Sequence, residues 1–378
     1  MYTALAAGIP AISLRRDWRL EFAALQTELP RAQGNRLNED THLPKLVTVT
    51  ALFADGYHNA FTDLIRWKGF YYLSFRTAQH HNLPPNGDVV IYRSADLESW
   101  DLSVRFDTGG DDRDPKLIDA GDRLGVVFGT WIPRWGDGTR TIRNAEYDLI
   151  SHVATSRDGL SWSTPRQVYG VNYWLWRILP SDGGFYCPAY HFGVRDDRDQ
   201  RNVHLLFSED LFEWRQRAIM RVGDGPGEPV LYHPEAGVLK CVVRTLEPDN
   251  HSWIGFSKAP YRDWAWEDLG VMIHAPVVVF TDEGRWIVAG RSQAGDLPAD
   301  VGRVEDADGR GHHVSIWEIV DNRAVHLLTL PGYGDCSYCG IVYADGDLLV
   351  SYYSQHERFP LPSERPTPAD VFLARIRL

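Results

Sequence analysis

The stretch SEDLFEW at 208–214 returns as SADLESW at 94–100 and SRDGLSW at 156–162. Each is a polar turn that lands on a tryptophan, and a degenerate fourth, SKAPYRDW, ends at Trp264. The landing residues Trp100, Trp162, Trp214 and Trp264 stand 62, 52 and 50 residues apart. A turn repeated at a period near 50 restricts a chain to repeat architectures. In a β-rich sequence that period is one four-stranded propeller blade. The aspartate of each turn satisfies backbone N–H groups and the tryptophan wedges against a neighbouring sheet. The turns therefore read as outer scaffold joining the third strand of a blade to its fourth.

A second repeat lies one hairpin earlier. Aligned on a turn glycine, the second strands read GFYYLSFR from Gly69, GDRLGVVFGTW from Gly121, GFYCPAYH from Gly184, GVLKCVVR from Gly237, GRWIVAGR from Gly284 and GDLLVSYY from Gly346. Seven residues on stand Arg76, His191, Arg244, Arg291 and Tyr353, with Phe128 or Gly129 in the remaining blade. A buried arginine is costly unless paired, so strand ends of this kind at one height are expected to line a polar cavity. The first strands open with His58, Arg113, Asp114, Trp176, Arg177, Glu228, His274 and Tyr338 towards the same axis. Six such segments predict an all-β, six-bladed β-propeller, with five- and seven-bladed rings as the alternatives. The run KLVTVTALF, Lys45 to Phe53, is expected to complete the last blade, because an open ring exposes two sheet edges. Residues 1–41 then form an N-terminal extension and 42–378 one propeller domain.

The 378 residues carry 39 Lys plus Arg against 51 Asp plus Glu, a formal charge of −12. That acidity argues against nucleic acid and anionic membranes as partners. No run of about 20 apolar residues is present to span a bilayer. The start, MYTALAAGIPAISLRRDW, has its arginines after the apolar stretch, the reverse of a secretory signal. A cytoplasmic location is the expectation, with secretion or a periplasmic location as alternatives. Cys336 and Cys339, in DCSYCGIVYADG, have metal-ligand spacing without a second C-x-x-C pair. In a regular strand they face opposite sides, so buried free thiols are expected and neither a metal nor a cofactor is required. Oligomeric state is not legible.

These residues together resemble the sialidase superfamily of six-bladed propellers. The S-x-D-x-x-x-W turns resemble its Asp boxes, or BNR repeats. GEPVLYHPEAGVLKCVVR is similar to the segment carrying its catalytic glutamate and a substrate-binding arginine, here Glu228 and Arg244. YADGDLLVSYY resembles the last-blade segment of its tyrosine nucleophile, which falls on Tyr352 by that match and on Tyr353 by the glycine register. The chain departs from the family in the first blade, where HNAF replaces R-I-P. The loop TAQHHNLPPNGD offers His80, His81 and Asp88 where an acid–base aspartate is expected.

The resemblance implies a glycosidase acting on a terminal acidic sugar of an oligo- or polysaccharide. Glu228, Tyr352 or Tyr353, His81 and Asp88 are its catalytic candidates. His58, Arg76, Arg113, Asp114, Trp176, His191, Arg244, Arg291 and Tyr338 are expected to bind substrate. A neutral phenol suits attack at an anomeric carbon bearing a carboxylate, with Glu228 as base. Arg76, Arg244 and Arg291 would hold an acidic group bidentately. Trp174 and Trp176 share one face of their strand and are expected in the core. Two other functions fit the same residues. One is a polysaccharide lyase using His58, His80, His81, His191 or Tyr353 as base, and the other is a non-catalytic carbohydrate-binding propeller.

Overall fold

The computed structural model describes residues 44–81, 86–133, 147–191, 201–299, 301, 311–358 and 368–378. The expected N-terminal extension lies outside them. The described residues make six antiparallel sheets in chain order, a six-bladed β-propeller. Blade 1 runs His58–Trp67, Phe70–Ala78, Asp88–Ser94 and Asp101–Phe106; blade 2 runs Asp111–Asp119, Leu124–Pro133, Tyr147–Ser156 and Arg166–Val168. Blade 3 has a first strand broken into Tyr173–Leu175 and Leu179–Ser181, then Gly184–His191, Asn202–Ser208 and Arg215–Val222. Blade 4 runs Gly227–Tyr232, Val238–Arg244, Ser252–Lys258 and Ala265–Asp268; blade 5 runs His274–Phe280, Trp286–Gln293, His312–Val320 and Arg323–Leu330. Blade 6 combines Ser337–Ala344, Asp347–Ser354 and Asp370–Arg377 with Lys45–Phe53, which pairs antiparallel with the last strand of the chain.

Six apolar clusters fill the joints between blades. Trp67 and Ile91 meet Val126 and Phe128 between blades 1 and 2. Val127 and Val153 meet Cys187 and Leu206 between blades 2 and 3. Val277 and Ala289 meet Ile341 and Val350 between blades 5 and 6, and Leu73 meets Leu349 and Val371 where blade 6 returns to blade 1. Each sheet is covered on both faces, which is why the inner strands read as near-continuous apolar runs.

The repeated turns lie between third and fourth strands. The Asp96 carboxylate accepts the N–H groups of Glu98 and Ser99 at 2.9 and 2.8 Å, and Ser94 Oγ accepts that of Leu97 at 2.8 Å. Asp158 and Asp210 repeat the pattern on Leu160 and Ser161 and on Phe212 and Glu213. Those N–H groups hold the Asp96 and Asp158 carboxyls below the usual carboxylate range. Trp100 and Trp214 donate their indole N–H back to Leu97 and Leu211, closing the turn.

One irregularity recurs in the first strands. In blades 1, 2, 4, 5 and 6 the ladder slips between Ala60 and Asp63, Arg113 and Lys116, Gly227 and Val230, His274 and Val277, and Ser337 and Gly340. The first bulged residues, Phe61, Asp114, Glu228, Ala275 and Tyr338, have φ between 47° and 65°. A side chain in that left-handed region costs roughly 1–3 kcal/mol. Five repetitions at one register make it a feature of the blade. The bulge also corrects the expectation for the cysteines. Cys336 and Cys339 flank Tyr338, and the slipped register turns both thiols into the same apolar cluster between blades 5 and 6. Both are free and buried, and burial pushes the Cys339 thiol up to about 12.

Candidate functional site

The bulged residues meet one another at the centre of the ring. Tyr338 donates its hydroxyl proton to Glu228 Oε1 at 2.6 Å, and the Ala275 N–H donates to Glu228 Oε2 at 2.8 Å. Phe61 packs edge-on to Tyr338, with ring centroids 4.8 Å apart, and Trp176, from the break in blade 3, lies 5.8 Å from the same ring. Arg244 donates to Glu228 Oε1 at 2.6 Å. Burial works against a charge on Glu228, but Arg244, the Tyr338 hydroxyl, Arg291 and the Ala275 N–H outweigh it and hold the carboxyl below its ordinary value. Tyr338 moves the other way. Burial, Glu228 and Asp114 push its phenol well above the usual range, so it stays protonated with its proton aimed at an ionised carboxylate.

A second cluster gathers on Asp335. Its Oδ1 accepts from Tyr353 at 2.8 Å and Arg291 at 3.2 Å, while its Oδ2 meets His58 Nε2 at 2.9 Å and, in a short contact, His81 Nδ1. Burial opposes ionisation, but the histidines bring the carboxyl well below the usual range. An ionised carboxylate only accepts, so His58 carries its proton on Nε2 and His81 on Nδ1. Among the described residues this trio is the one set of His, Cys, Asp or Glu whose ligand atoms converge, within 4.8 Å, as a metal ion needs. The four hydrogen bonds on Asp335 already match a carboxylate's full accepting capacity.

The buried cations divide by accessibility. Arg76 is wholly enclosed, with Nε and Nη2 on Asp111 Oδ1 at 2.9 and 2.7 Å and Nη1 on the His80 carbonyl at 2.8 Å. Arg113 donates to Asp111 Oδ2 at 2.9 Å and to the His81 carbonyl at 3.0 Å, sandwiched by the Phe61 and Trp131 rings. Arg177 pairs with Asp63 at 2.7 Å. Lys116 lies over the Trp176 and Tyr338 rings, and burial lowers it to about 8. Arg244 and Arg291 keep 28% and 17% of their side chains open, enough to meet a ligand. Asp114 is enclosed, and burial raises it to about 6 despite Arg113 and Lys116.

The geometry also places the remaining sequence candidates. Tyr352 faces the joint between blades 5 and 6 and stacks on Phe372, because consecutive strand residues face opposite sides. Tyr353 faces the centre but meets Asp335 and Arg291, and the tyrosine that meets Glu228 is Tyr338. Asp88 pairs with the exposed Arg105 at 2.6 Å on the outer part of blade 1. Arg76 and Arg113 are buried, with their donors on Asp111 and the 80–81 carbonyls. His191 packs on Tyr173. The turn glycine equivalent to Gly69 is Gly183, with φ 77°, so the count starts one residue earlier and lands on Tyr190, which packs on Trp176. A one-residue slip exchanges the faces of a strand. Gly129, the shifted alternative in blade 2, holds that height because the Trp174 ring lies 2.3 Å from where its Cβ would stand. Trp174 and Trp176 are core residues.

Asp335 and Asp111 were missed. Their signal was positional: each stands three residues before a bulged residue, as His58 does before Phe61.

No family model and no curated protein matches the sequence. Solved structures do. Trypanosoma rangeli sialidase in complex with sialic acid superposes at TM-score 0.60 with 13% identity, over 87% of this chain and 58% of that one. The phage phi92 endosialidase superposes at 0.58 with 12% identity, over 88% and 69%. The class these define is a fold, the six-bladed propeller shared with sialidases. A protein of unknown function from Dyadobacter fermentans matches over 89% of this chain and 99% of that chain, at TM-score 0.72 and 20% identity.

Proposed function

We propose that the chain is a glycosidase removing a terminal acidic sugar from an oligo- or polysaccharide, with Tyr338 as nucleophile and Glu228 as its base. The observation that carries this reading is the 2.6 Å hydrogen bond from Tyr338 to an ionised, buried Glu228. As the phenol oxygen closes on the anomeric carbon, its proton passes to Glu228, so no free phenolate has to exist beforehand. Arg244 and Arg291 form the cationic wall that a substrate carboxylate or sulfate would meet. A screen of 4-methylumbelliferyl glycosides of acidic sugars tests the activity. On any substrate turned over, Glu228→Gln and Tyr338→Phe should each lower kcat roughly 10²–10⁴-fold, while Tyr352→Phe leaves it unchanged. Full activity in Tyr338→Phe would overturn the nucleophile assignment.

A second reading is favoured by one observation, Tyr353 hydrogen-bonded with Arg291 and sharing Asp335 with His58 and His81. That grouping suits abstraction of the proton alpha to a uronate carboxylate. Uronate oligomers in the same screen, followed by ultraviolet absorbance of an unsaturated product, decide between hydrolysis and elimination.

A further inference from the structure

We infer that His81 is the acid–base residue serving the glycosidic oxygen, that Asp335 orients it, and that the buried Arg76–Asp111–Arg113 group exists to place it. The inference rests on the glycosidase reading above and supplies the proton donor that reading lacks.

His81 follows the second strand of blade 1, where nothing in the sheet ladder holds it. Two arginines do. Arg76 donates to the His80 carbonyl and Arg113 to the His81 carbonyl, and both are locked on one carboxylate, Asp111. Three fully enclosed charges are costly to bury and are not needed to close the joint between blades. Their common product is a fixed backbone at 80–81. From there His81 reaches across to blade 6 and gives its Nδ1 proton to Asp335, which Tyr353, Arg291 and His58 hold from the other directions. With Nδ1 committed, Nε2 is the nitrogen without a partner among the described residues, on a side chain that is 40% open. The ring packs on Phe61, which packs in turn on Tyr338, so a single phenyl ring separates His81 from the Tyr338–Glu228 pair. Asp114, the other candidate donor, is enclosed by Arg113 and Lys116.

The steps balance. Tyr338 forms its C–O bond to the anomeric carbon and passes its proton to Glu228. The glycosidic C–O bond breaks, and the leaving oxygen takes the Nε2 proton of doubly protonated His81, whose charge faces Asp335. In the second half, neutral His81 takes a proton from water, and the hydroxide oxygen bonds to the anomeric carbon. The tyrosyl C–O bond breaks, and the phenol recovers its proton from Glu228.

An acid that protonates the leaving group matters most when that group is a poor one. The test compares the 4-methylumbelliferyl and methyl glycosides of N-acetylneuraminic acid and of glucuronic acid. His81→Gln should lose roughly 10²–10⁴-fold on the methyl glycoside and less than about tenfold on the 4-methylumbelliferyl one. Added imidazole should restore part of the loss in His81→Gly, and unchanged melting would show the variants folded. Asp335→Asn, which removes the carboxylate charge facing Nδ1–H, should show the same leaving-group split. Glu228→Gln should lose on both substrates alike. Equal loss on both substrates in His81→Gln, no loss on either, or the split appearing in Asp114→Asn instead overturns the His81 assignment alone. Wild-type protein inactive on all four glycosides overturns the glycosidase reading and this one with it.

Discussion

Asp114 combines a φ of 55°, near-complete burial and a carboxylate oxygen, Oδ1, without a hydrogen-bond partner among the described residues. Its pKa of about 6 in the fold exceeds the ordinary value of 3.8, so the folded state binds its proton more tightly than the unfolded chain. Below pH 4 both states are protonated and the residue is neutral in its effect. Between pH 4 and 6 the unfolded chain releases its proton first, and destabilisation grows as pH rises; above pH 6 the whole cost is present. Two pKa units correspond to roughly 2–3 kcal/mol. Asp114→Asn is therefore expected to raise the melting temperature at pH 7 and to leave it unchanged at pH 4. Equal melting of the two proteins at pH 7 would show that the burial cost is met by other means. A residue that weakens the fold at neutral pH, beside Glu228 and Lys116, is the pattern of a site kept for chemistry.

The first strand of each blade carries most of what the site needs. In five blades its bulge delivers Phe61, Asp114, Glu228, Ala275 and Tyr338, and in three of them the residue three places earlier delivers His58, Asp111 and Asp335. The strands must crowd together to do this. A Cβ on Gly340 would stand 1.9 Å from the Leu64 N and 2.5 Å from the Asp63 carbonyl carbon, so the backbones of blades 6 and 1 touch there. No flexible side chain is available to move aside. Gly340→Ala should lower stability by roughly 1–3 kcal/mol or more, measured by denaturant titration. It should also disturb Arg177, which bridges Asp63 and the Cys339 carbonyl. A variant with wild-type stability would mean that the joint between those blades can open at little cost.

At the scale of the whole molecule, the ring is closed by one strand from the far end of the chain. Lys45–Phe53 pairs with Asp370–Arg377, and Phe53 packs on Phe75 and Tyr92 of blade 1, with centroids 4.9 and 4.4 Å apart. Deleting residues 1–54 removes that ladder and leaves Asp370–Arg377 as an open edge, which favours association. The deletion should melt lower and less cooperatively, or aggregate, whereas deleting only 1–41 spares the strand. Cooperative melting of the longer deletion at the wild-type temperature would show that the closing strand contributes little.

What the sequence determined by itself is the periodic part of the protein. Turns ending at Trp100, Trp162 and Trp214, glycines heading each second strand, and six first-strand segments are local signals, each satisfied within one hairpin, and they specify the blade and its number. Glu228 with Arg244 was legible for the same reason, since the two are paired across one hairpin. The tertiary structure decided everything that depends on two blades at once. Tyr338 meets Glu228 across the ring, His81 meets Asp335 across the closing joint, and Arg76 of blade 1 reaches Asp111 of blade 2. Register decided the rest. The bulges turn Cys336 and Cys339 to one side, and a turn glycine one residue earlier than expected exchanges His191 for Tyr190. Strand faces alternate with each residue, so a slip of one, invisible in composition and weak in pattern, decides which side chain reaches the centre.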